Sequence, residues 1–96
     1  MNSYLLSEAA DADIQHIFTN SVAQWGQPRA EQYVLELHEA FETLSVFPHL
    51  GRDIGYIRTG YLRFDHERHA VFFQKTADGI VIIRVLHQRQ QHADYL

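Results

Sequence analysis

The second half of the chain concentrates arginine and histidine side chains, which could bind an anionic group or exchange a proton. The planar fork of arginine donates two parallel hydrogen bonds and therefore suits carboxylates and phosphates. Histidine changes its charge near neutral pH, because its unperturbed pKa is about 6.5. The candidates on or beside the predicted strands are Arg58, Arg63, His69, Arg84, His87 and Arg89. We predict that these six side chains contact a partner of the chain.

Arg84 differs from the other candidates because it interrupts an otherwise apolar run, residues 80–86. A charge in such a strand must find a partner or reach an edge of the sheet, since an unpaired buried charge is costly. One interpretation is an internal ion pair with a helix glutamate or a strand aspartate. The other is a contact with a partner, and both interpretations fit the sequence.

Other reactive residue types lack the spacing that metal binding or covalent catalysis requires. The chain has no cysteine, which excludes a disulfide framework, a thiolate nucleophile and a cysteine-ligated metal. The histidine pairs His66/His69 and His87/His92 do not supply the three convergent ligands that catalytic zinc needs. No serine lies in a nucleophile elbow, and the glycines lack the spacing of a phosphate loop. We therefore predict neither a metal nor a cofactor.

The net charge of −4 conceals an asymmetry between the two halves of the chain. Residues 1–48 hold one basic residue against seven acidic ones, whereas residues 49–96 hold seven basic residues against five acidic ones. Such an asymmetry indicates different partners for different faces, or simply two solvated faces. Phosphate contacts supply most nucleic-acid affinity. A net-negative chain without a dense basic run is therefore not expected to bind nucleic acid directly in a sequence-specific way.

Length and hydropathy limit the organisation of the chain. Its 96 residues fit one domain, residues 1–96, with no room for a second. No apolar run approaches the roughly 18–20 residues of a membrane span. The first residues also lack the basic and apolar regions of a signal peptide. We expect a cytoplasmic protein with no membrane partner.

Two amphipathic helices must help to position the candidate residues. Apolar residues recur at helical spacing after Ser7, a residue type that caps helices. Gly26 is a stop signal, and Pro28 suits the first turn of a second helix. The two apolar stripes are Ile14, Ile17, Phe18, Val22 and Trp25, then Ala30, Tyr33, Val34, Leu37, Phe41 and Leu44. So short a connection predicts antiparallel neighbouring helices.

The remaining pattern predicts a sheet. Residues 50–55 are typical of a loop, because they include two glycines. Residues 62–65 alternate, residues 69–75 are rich in strand formers, and residues 80–86 are nearly all apolar and therefore central. Residues 4–6 add a fourth strand. The predicted fold is α+β, with an N-terminal strand and an antiparallel helical hairpin packed on a small, mainly antiparallel four-stranded sheet.

Several short phrases follow one another in a specific order from about Tyr4 to Arg89, nearly the whole chain. They are Ala10-x-x-Asp13-Ile14-x-x-Ile17, Trp25-Gly26, Phe47-Pro48-x-Leu50-Gly51-Arg52, Arg58-x-Gly60-Tyr61, Arg63-Phe64, His69-x-Val71-Phe72-Phe73 and Ile83-Arg84-Val85-Leu86-His87-x-Arg89. In this order and spacing they resemble the ParE branch of the RelE/ParE superfamily of toxins. The resemblance implies the RelE/ParE-like fold.

The same resemblance implies a function. It indicates a small toxin of a type II toxin–antitoxin system that is held inactive by a ParD-like antitoxin. ParE-type toxins are associated with inhibition of DNA gyrase, whereas their RelE-type relatives cut messenger RNA on the ribosome. The six candidate arginines and histidines then become contacts to the antitoxin or to the target.

The choice between these two activities depends on the cations that the nucleases use. Positioned cations can stabilise the charged transition state of phosphodiester cleavage, yet this chain has one lysine, Lys75. The possible counterparts of the nuclease residues are His69, Arg89 and Tyr95. Because the cationic set is thin, we expect a toxin that binds gyrase rather than an enzyme. The alternative is a ribosome-dependent endoribonuclease that acts through those three residues.

Overall fold

The computed structural model describes residues 3–90 and 92–96. Two helices, α1 (Glu8–Trp25) and α2 (Gln27–Val46), follow the first strand. The strands are β1 (Ser3–Leu6), β2 (Arg52–Asp53), β3 (Leu62–His66), β4 (His69–Thr76) and β5 (Gly79–His87). Short 3-10 turns lie at Pro48–Leu50 and His92–Asp94. The α+β fold predicted from the sequence is confirmed.

Local sequence signals determine where both helices begin and end. The Ser7 hydroxyl caps α1 by accepting a hydrogen bond from the Ala10 N–H at 3.0 Å. Gly26 ends α1 with a φ of 87°, a left-handed conformation that favours glycine. Pro28 lies in the first turn of α2, where no N–H is needed. Within the described residues, neither helix combines the length and hydropathy needed to cross a bilayer.

The sheet has the strand order β1-β5-β4-β3-β2, with β1 parallel to β5 and the other neighbours antiparallel. The sequence predicted four strands, and the structure adds β2 inside the predicted loop. β2 has only two residues, both exposed, so no alternation of polar and apolar residues could reveal it. Gly51 brings this segment close to β4, because a Cβ there would collide with the Phe73 ring.

Both faces of the central strands are buried, which explains their lack of polar alternation. The face towards the helices forms the main core, which includes Leu37, Phe41, Val71, Phe73, Ile80 and Ile82. A smaller cluster covers the opposite face, here called the back face, with Ile54, Ala70, Phe72 and Leu86, and with Leu96 packed against them. Full burial of side chains of this size stabilises the fold by about 1.5–3 kcal/mol each.

A β-bulge interrupts the pairing of β4 with β5. Phe72 pairs with Arg84 and Phe73 pairs with Ile82, so Ile83 has no partner across this ladder. Bulges bend a strand and re-aim its side chains. This one directly precedes Arg84, the charged residue of β5.

Candidate binding cleft

A cleft of about 430 Å³ lies between α1 and the C-terminal part of β5. Its apolar lining residues are Ile17, Trp25, Val85 and Leu86, of which Trp25 is the exposed one. The polar residues that line it are Asp13, His16, Asn20, Ser21, Gln24, Arg68, His69, Arg84, His87 and Gln90. Such a lining offers hydrogen-bond donors and cations around a small apolar floor, so it suits a few side chains of a protein partner.

The cleft exists because β1 ends at Leu6 whereas its partner β5 continues to His87. β4 still pairs with β5 on one side, but on the edge that β1 no longer covers side chains bond the backbone of β5. Ser7 Oγ donates to the Ile83 carbonyl at 2.7 Å, the Val85 N–H donates to Asp13 Oδ2 at 2.9 Å, and the His87 N–H donates to Gln90 Oε1 at 2.8 Å. A partner in the cleft therefore meets side chains instead of an open strand edge.

Arg84 and Asp13 form an ion pair in the wall of the cleft. Arg84 Nε lies 2.7 Å from Asp13 Oδ2, and Nη2 lies 2.8 Å from Oδ1. The two side chains are only 21% and 12% exposed. The hydrogen bond to Asp13 raises the pKa of Arg84, against a smaller opposing effect of burial. Of the two interpretations that the sequence allowed, the structure contains the internal ion pair, but its partner is a helix aspartate and not the predicted helix glutamate or strand aspartate.

His69 lies in the cleft and contacts Tyr33, which is 2% exposed. The Tyr33 hydroxyl is 2.6 Å from His69 Nδ1. Burial, and then the charge of Glu67, raise the pKa of Tyr33 to about 12. Burial, and then His87 and His66, lower the pKa of His69 to about 4. Near neutral pH the phenol therefore keeps its proton and the ring of His69 is neutral, and the two groups share a hydrogen bond.

Trp25 and Arg68 close one end of the cleft. The Arg68 guanidinium carbon lies 4.3 Å from the centroid of the Trp25 ring, within the range of cation–π contacts. Trp25 in turn lies 6.4 Å from the Tyr33 ring. Sequence reasoning missed these residues, because Trp25 and Tyr33 belong to apolar helix stripes and Arg68 lies in a turn. The hydroxyl of Tyr33 could have indicated such a contact from the sequence, since a buried hydroxyl needs a hydrogen-bond partner.

Three of the six predicted binding residues, His69, Arg84 and His87, meet in this cleft. The rings of His69 and His87 are 5.7 Å apart in an edge-to-face arrangement. Arg89 lies beside them in a second cavity, which Arg68 and His87 also line. These four candidates therefore share one region of the surface.

The other two candidates, Arg58 and Arg63, lie away from the cleft. Arg63 is above the Phe72 ring on the back face, where its Nε lies 2.7 Å from Asp65 Oδ1. Arg58 Nε donates to the Leu96 carbonyl at 2.7 Å. Arg58 thus holds the C-terminal segment, and Arg63 pairs with Asp65 on its own strand.

Tyr95, the third residue of the nuclease alternative, reaches the cleft only through Arg84 among the contacts of the described residues. Tyr95 contacts Arg84, whose guanidinium carbon lies 5.5 Å from the ring centroid and whose Nη1 lies 3.4 Å from the Tyr95 carbonyl. Among the described residues, no hydrogen bond or aromatic contact joins Tyr95 to His69 or Arg89. Residues 3–90 and 92–96 also contain no group of three or more histidines and carboxylates arranged to hold a metal ion.

Comparisons with known proteins agree with the resemblance. The family model of the ParE toxin of type II toxin–antitoxin systems, parDE, matches residues 4–92. Toxin ParE1 of Mycobacterium tuberculosis is 39% identical over 87 residues, which cover 90% of this chain and 89% of that protein. Toxin ParE1 of Caulobacter vibrioides is 38% identical over 88 residues, which cover 92% of this chain and 91% of that protein.

A solved structure shares the fold. A chain of the chromosomal ParDE TA system from P. aeruginosa superimposes with a TM-score of 0.77 and 21% identity. The match covers 91% of this chain and 96% of that chain. Together with the sequence matches over residues 4–92, it leads to one conclusion. The chain belongs to the ParE toxin family of type II toxin–antitoxin systems.

Proposed function

We propose that this chain is a cytoplasmic toxin that inhibits DNA gyrase by direct binding and that a ParD-like antitoxin neutralises it. The observation that carries the proposal is the family match over residues 4–92. The ParDE assembly named for the P. aeruginosa structure supports an antitoxin partner. No cofactor or metal takes part in this function.

The chemistry of the cleft favours binding over RNA cleavage. A general acid or base works best with a pKa near the operating pH, but the pKa of His69 is lowered to about 4. Arg84 is engaged with Asp13, and Arg68 stacks on Trp25. The single lysine, Lys75, lines a different cavity, beside Asp53 and Gln74. A scissile phosphate at His69 would therefore have Arg68 and Arg89 as its nearby cations and no lysine, a thinner set than the lysines and arginines of the nuclease relatives.

The antitoxin is proposed to occupy the cleft between α1 and β5. Its carboxylates would pair with Arg68 and Arg89, and its apolar groups would cover Ile17 and Trp25. Arg84 can join through the N–H groups that Asp13 does not occupy, since Asp13 bonds only Nε and Nη2. Arg58 and Arg63 would contribute through the segments that they hold, so the full proposed binding set remains the six residues Arg58, Arg63, His69, Arg84, His87 and Arg89.

The test separates gyrase inhibition from RNA cleavage. Purified protein is added to a gyrase supercoiling assay and, separately, to a translation reaction whose messages are mapped by primer extension. We expect loss of supercoiling, relief by the antitoxin, and intact messages. Codon-phased cuts that vanish in the His69→Ala variant, with no effect on gyrase at any toxin excess, would instead establish the endoribonuclease.

A further inference from the structure

The loop between β2 and β3, residues 54–61, displays apolar side chains to solvent. Tyr56 is 83% exposed and Ile57 is 38% exposed. Two exposed arginines flank them, Arg52 at the start of β2 and Arg58 within the loop. The loop belongs to the far edge of the sheet from β1, and none of the residues that line the cleft between α1 and β5 belongs to it.

This exposure belongs to an ordered loop. The Ile54 N–H donates to the Tyr61 carbonyl at 3.0 Å, and the Tyr61 N–H donates to the Arg58 carbonyl at 3.1 Å. The Ile57 and Arg58 N–H groups both donate to the Ile54 carbonyl, at 2.8 and 3.2 Å. Ile54 itself is 1% exposed and anchors the loop in the cluster on the back face. The backbone that carries Tyr56 is thus fixed at both ends.

A fixed loop with exposed apolar residues has the properties of a binding anchor. Ordering a flexible loop costs part of the binding free energy, and here the hydrogen bonds of the loop have already ordered the backbone. Tyrosine and arginine are the residue types that dominate hot spots in protein interfaces. Single exposed apolar residues are common on surfaces, but Tyr56 and Ile57 are adjacent and lie between two arginines.

The charges of the loop indicate the chemistry of the partner. Asp53 is the acidic neighbour, and its Oδ1 accepts a hydrogen bond from the Gly55 N–H at 2.7 Å. Arg58 also donates through Nε to the Leu96 carbonyl at 2.7 Å, which leaves its Nη groups for a partner. Two arginines against one aspartate give residues 52–58 a net charge of +1, which favours carboxylates on the partner, while Tyr56 and Ile57 need an apolar pocket. A nucleic acid fits less well, because Ile57 finds no counterpart on phosphates and the whole chain has a net charge of −4.

We propose that residues 54–61 form the docking surface for the cellular target, and that the target is a protein with an apolar pocket bordered by carboxylates. This inference rests on the proposed function, in which that protein is gyrase. Tyr56 and Ile57 lie outside the antitoxin cleft, so the apolar anchors for the target differ from the cleft side chains that bind the antitoxin. Substitutions in the loop should then change the affinity for the target, and substitutions in the cleft should change the affinity for the antitoxin.

The test compares Tyr56→Ala with Leu35→Ala, a control at another exposed apolar position, on α2. Both substitutions remove an exposed side chain, so the urea midpoint should stay at its wild-type value. We expect Tyr56→Ala to bind gyrase about tenfold or more weakly, as for a hot-spot residue. Its affinity for the antitoxin should equal that of the wild type, and Leu35→Ala should match the wild type in both assays.

Growth arrest on expression in cells separates the failure of this inference from the failure of the proposed function. Arrest should be lost in Tyr56→Ala while the antitoxin still captures the variant. If Tyr56→Ala arrests growth like the wild type, the loop is not the docking surface, whatever the target. If the wild type leaves gyrase active but growth arrest is still lost in Tyr56→Ala, the gyrase proposal is wrong and the proposal that the loop docks the target is supported. If Tyr56→Ala lost binding to single-stranded nucleic acid but bound gyrase like the wild type, the proposal of a protein target would be wrong.

Discussion

Removing the Asp13 carboxylate should destabilise the fold more than removing any exposed carboxylate of the helices. Asp13→Ala deletes two charge-assisted hydrogen bonds from Arg84 and one from the Val85 N–H. The pair is intermediate in burial, with exposures of 12% and 21%. Exposed pairs contribute about 0–1 kcal/mol, and breaking a buried pair costs about 3–5 kcal/mol. We therefore expect a loss of about 2–3 kcal/mol in the free energy of unfolding.

Arg84→Met should cost less, about 1–2 kcal/mol, because the Asp13 carboxylate keeps its bond to the Val85 N–H. Asp11→Ala provides the matched control. Asp11 lies on the same helix but is exposed, and its one side-chain bond is to Gln15 at 3.2 Å. We expect Asp11→Ala to cost about 0.5 kcal/mol, mainly through the helix dipole.

Urea unfolding measures all three variants, with the fluorescence of the single tryptophan, Trp25, and far-UV circular dichroism as probes. The double variant Asp13→Ala/Arg84→Met should show a coupling of about 1–2 kcal/mol between the two sites. If Asp13→Ala came within 0.5 kcal/mol of Asp11→Ala, roughly the size of a neutral surface change, the pair would not stabilise the wall of the cleft.

Three further predictions concern His69, Gly51 and Arg68. The pKa of His69 is about 4 in the folded state, below its ordinary 6.5, so the unfolded chain binds more protons between these values. Stability should therefore fall as the pH drops from about 6.5 to about 4, and less steeply in His69→Asn, as measured by urea midpoints. Gly51→Ala should cost about 1–3 kcal/mol in thermal unfolding, because its Cβ collides with the Phe73 ring. Arg68→Met should weaken antitoxin binding in calorimetry, because it removes the cation that stacks on Trp25.

Each of these predictions has a contradicting result. If the urea midpoint of His69→Asn depended on pH as in the wild type, another group would be responsible for the titration. His49, which is exposed, provides the control substitution. Wild-type stability of Gly51→Ala would mean that β2 shifts to accept the methyl group. Equal loss of antitoxin affinity in Arg68→Met and Arg52→Met would indicate a general charge effect rather than a contact in the cleft.

The parts of the fold that were predicted correctly are those fixed by neighbouring residues. Ser7, Gly26 and Pro28 act within a few positions of where they stand, so the helix boundaries could be read directly from the sequence. The apolar run of β5 also fixed its central position. The fifth strand could not be predicted, since two exposed residues carry no periodicity.

The candidate site was only partly predictable because its geometry depends on contacts between distant residues. Asp13 and Arg84 are 71 positions apart, and a bulge at Ile83 precedes the arginine. Tyr33 and His69 are 36 positions apart. Sequence reasoning grouped six side chains by type, whereas tertiary packing puts Arg58 against Leu96 and not in the cleft.

Inhibition of gyrase by the purified chain tests the proposed function most directly. Supercoiling of relaxed plasmid by purified gyrase is followed with increasing toxin, with and without a stoichiometric ParD-like antitoxin. We predict that the toxin stops supercoiling and that the antitoxin restores it. Undiminished supercoiling at every toxin concentration, from protein that still arrests growth in cells, would contradict the proposal.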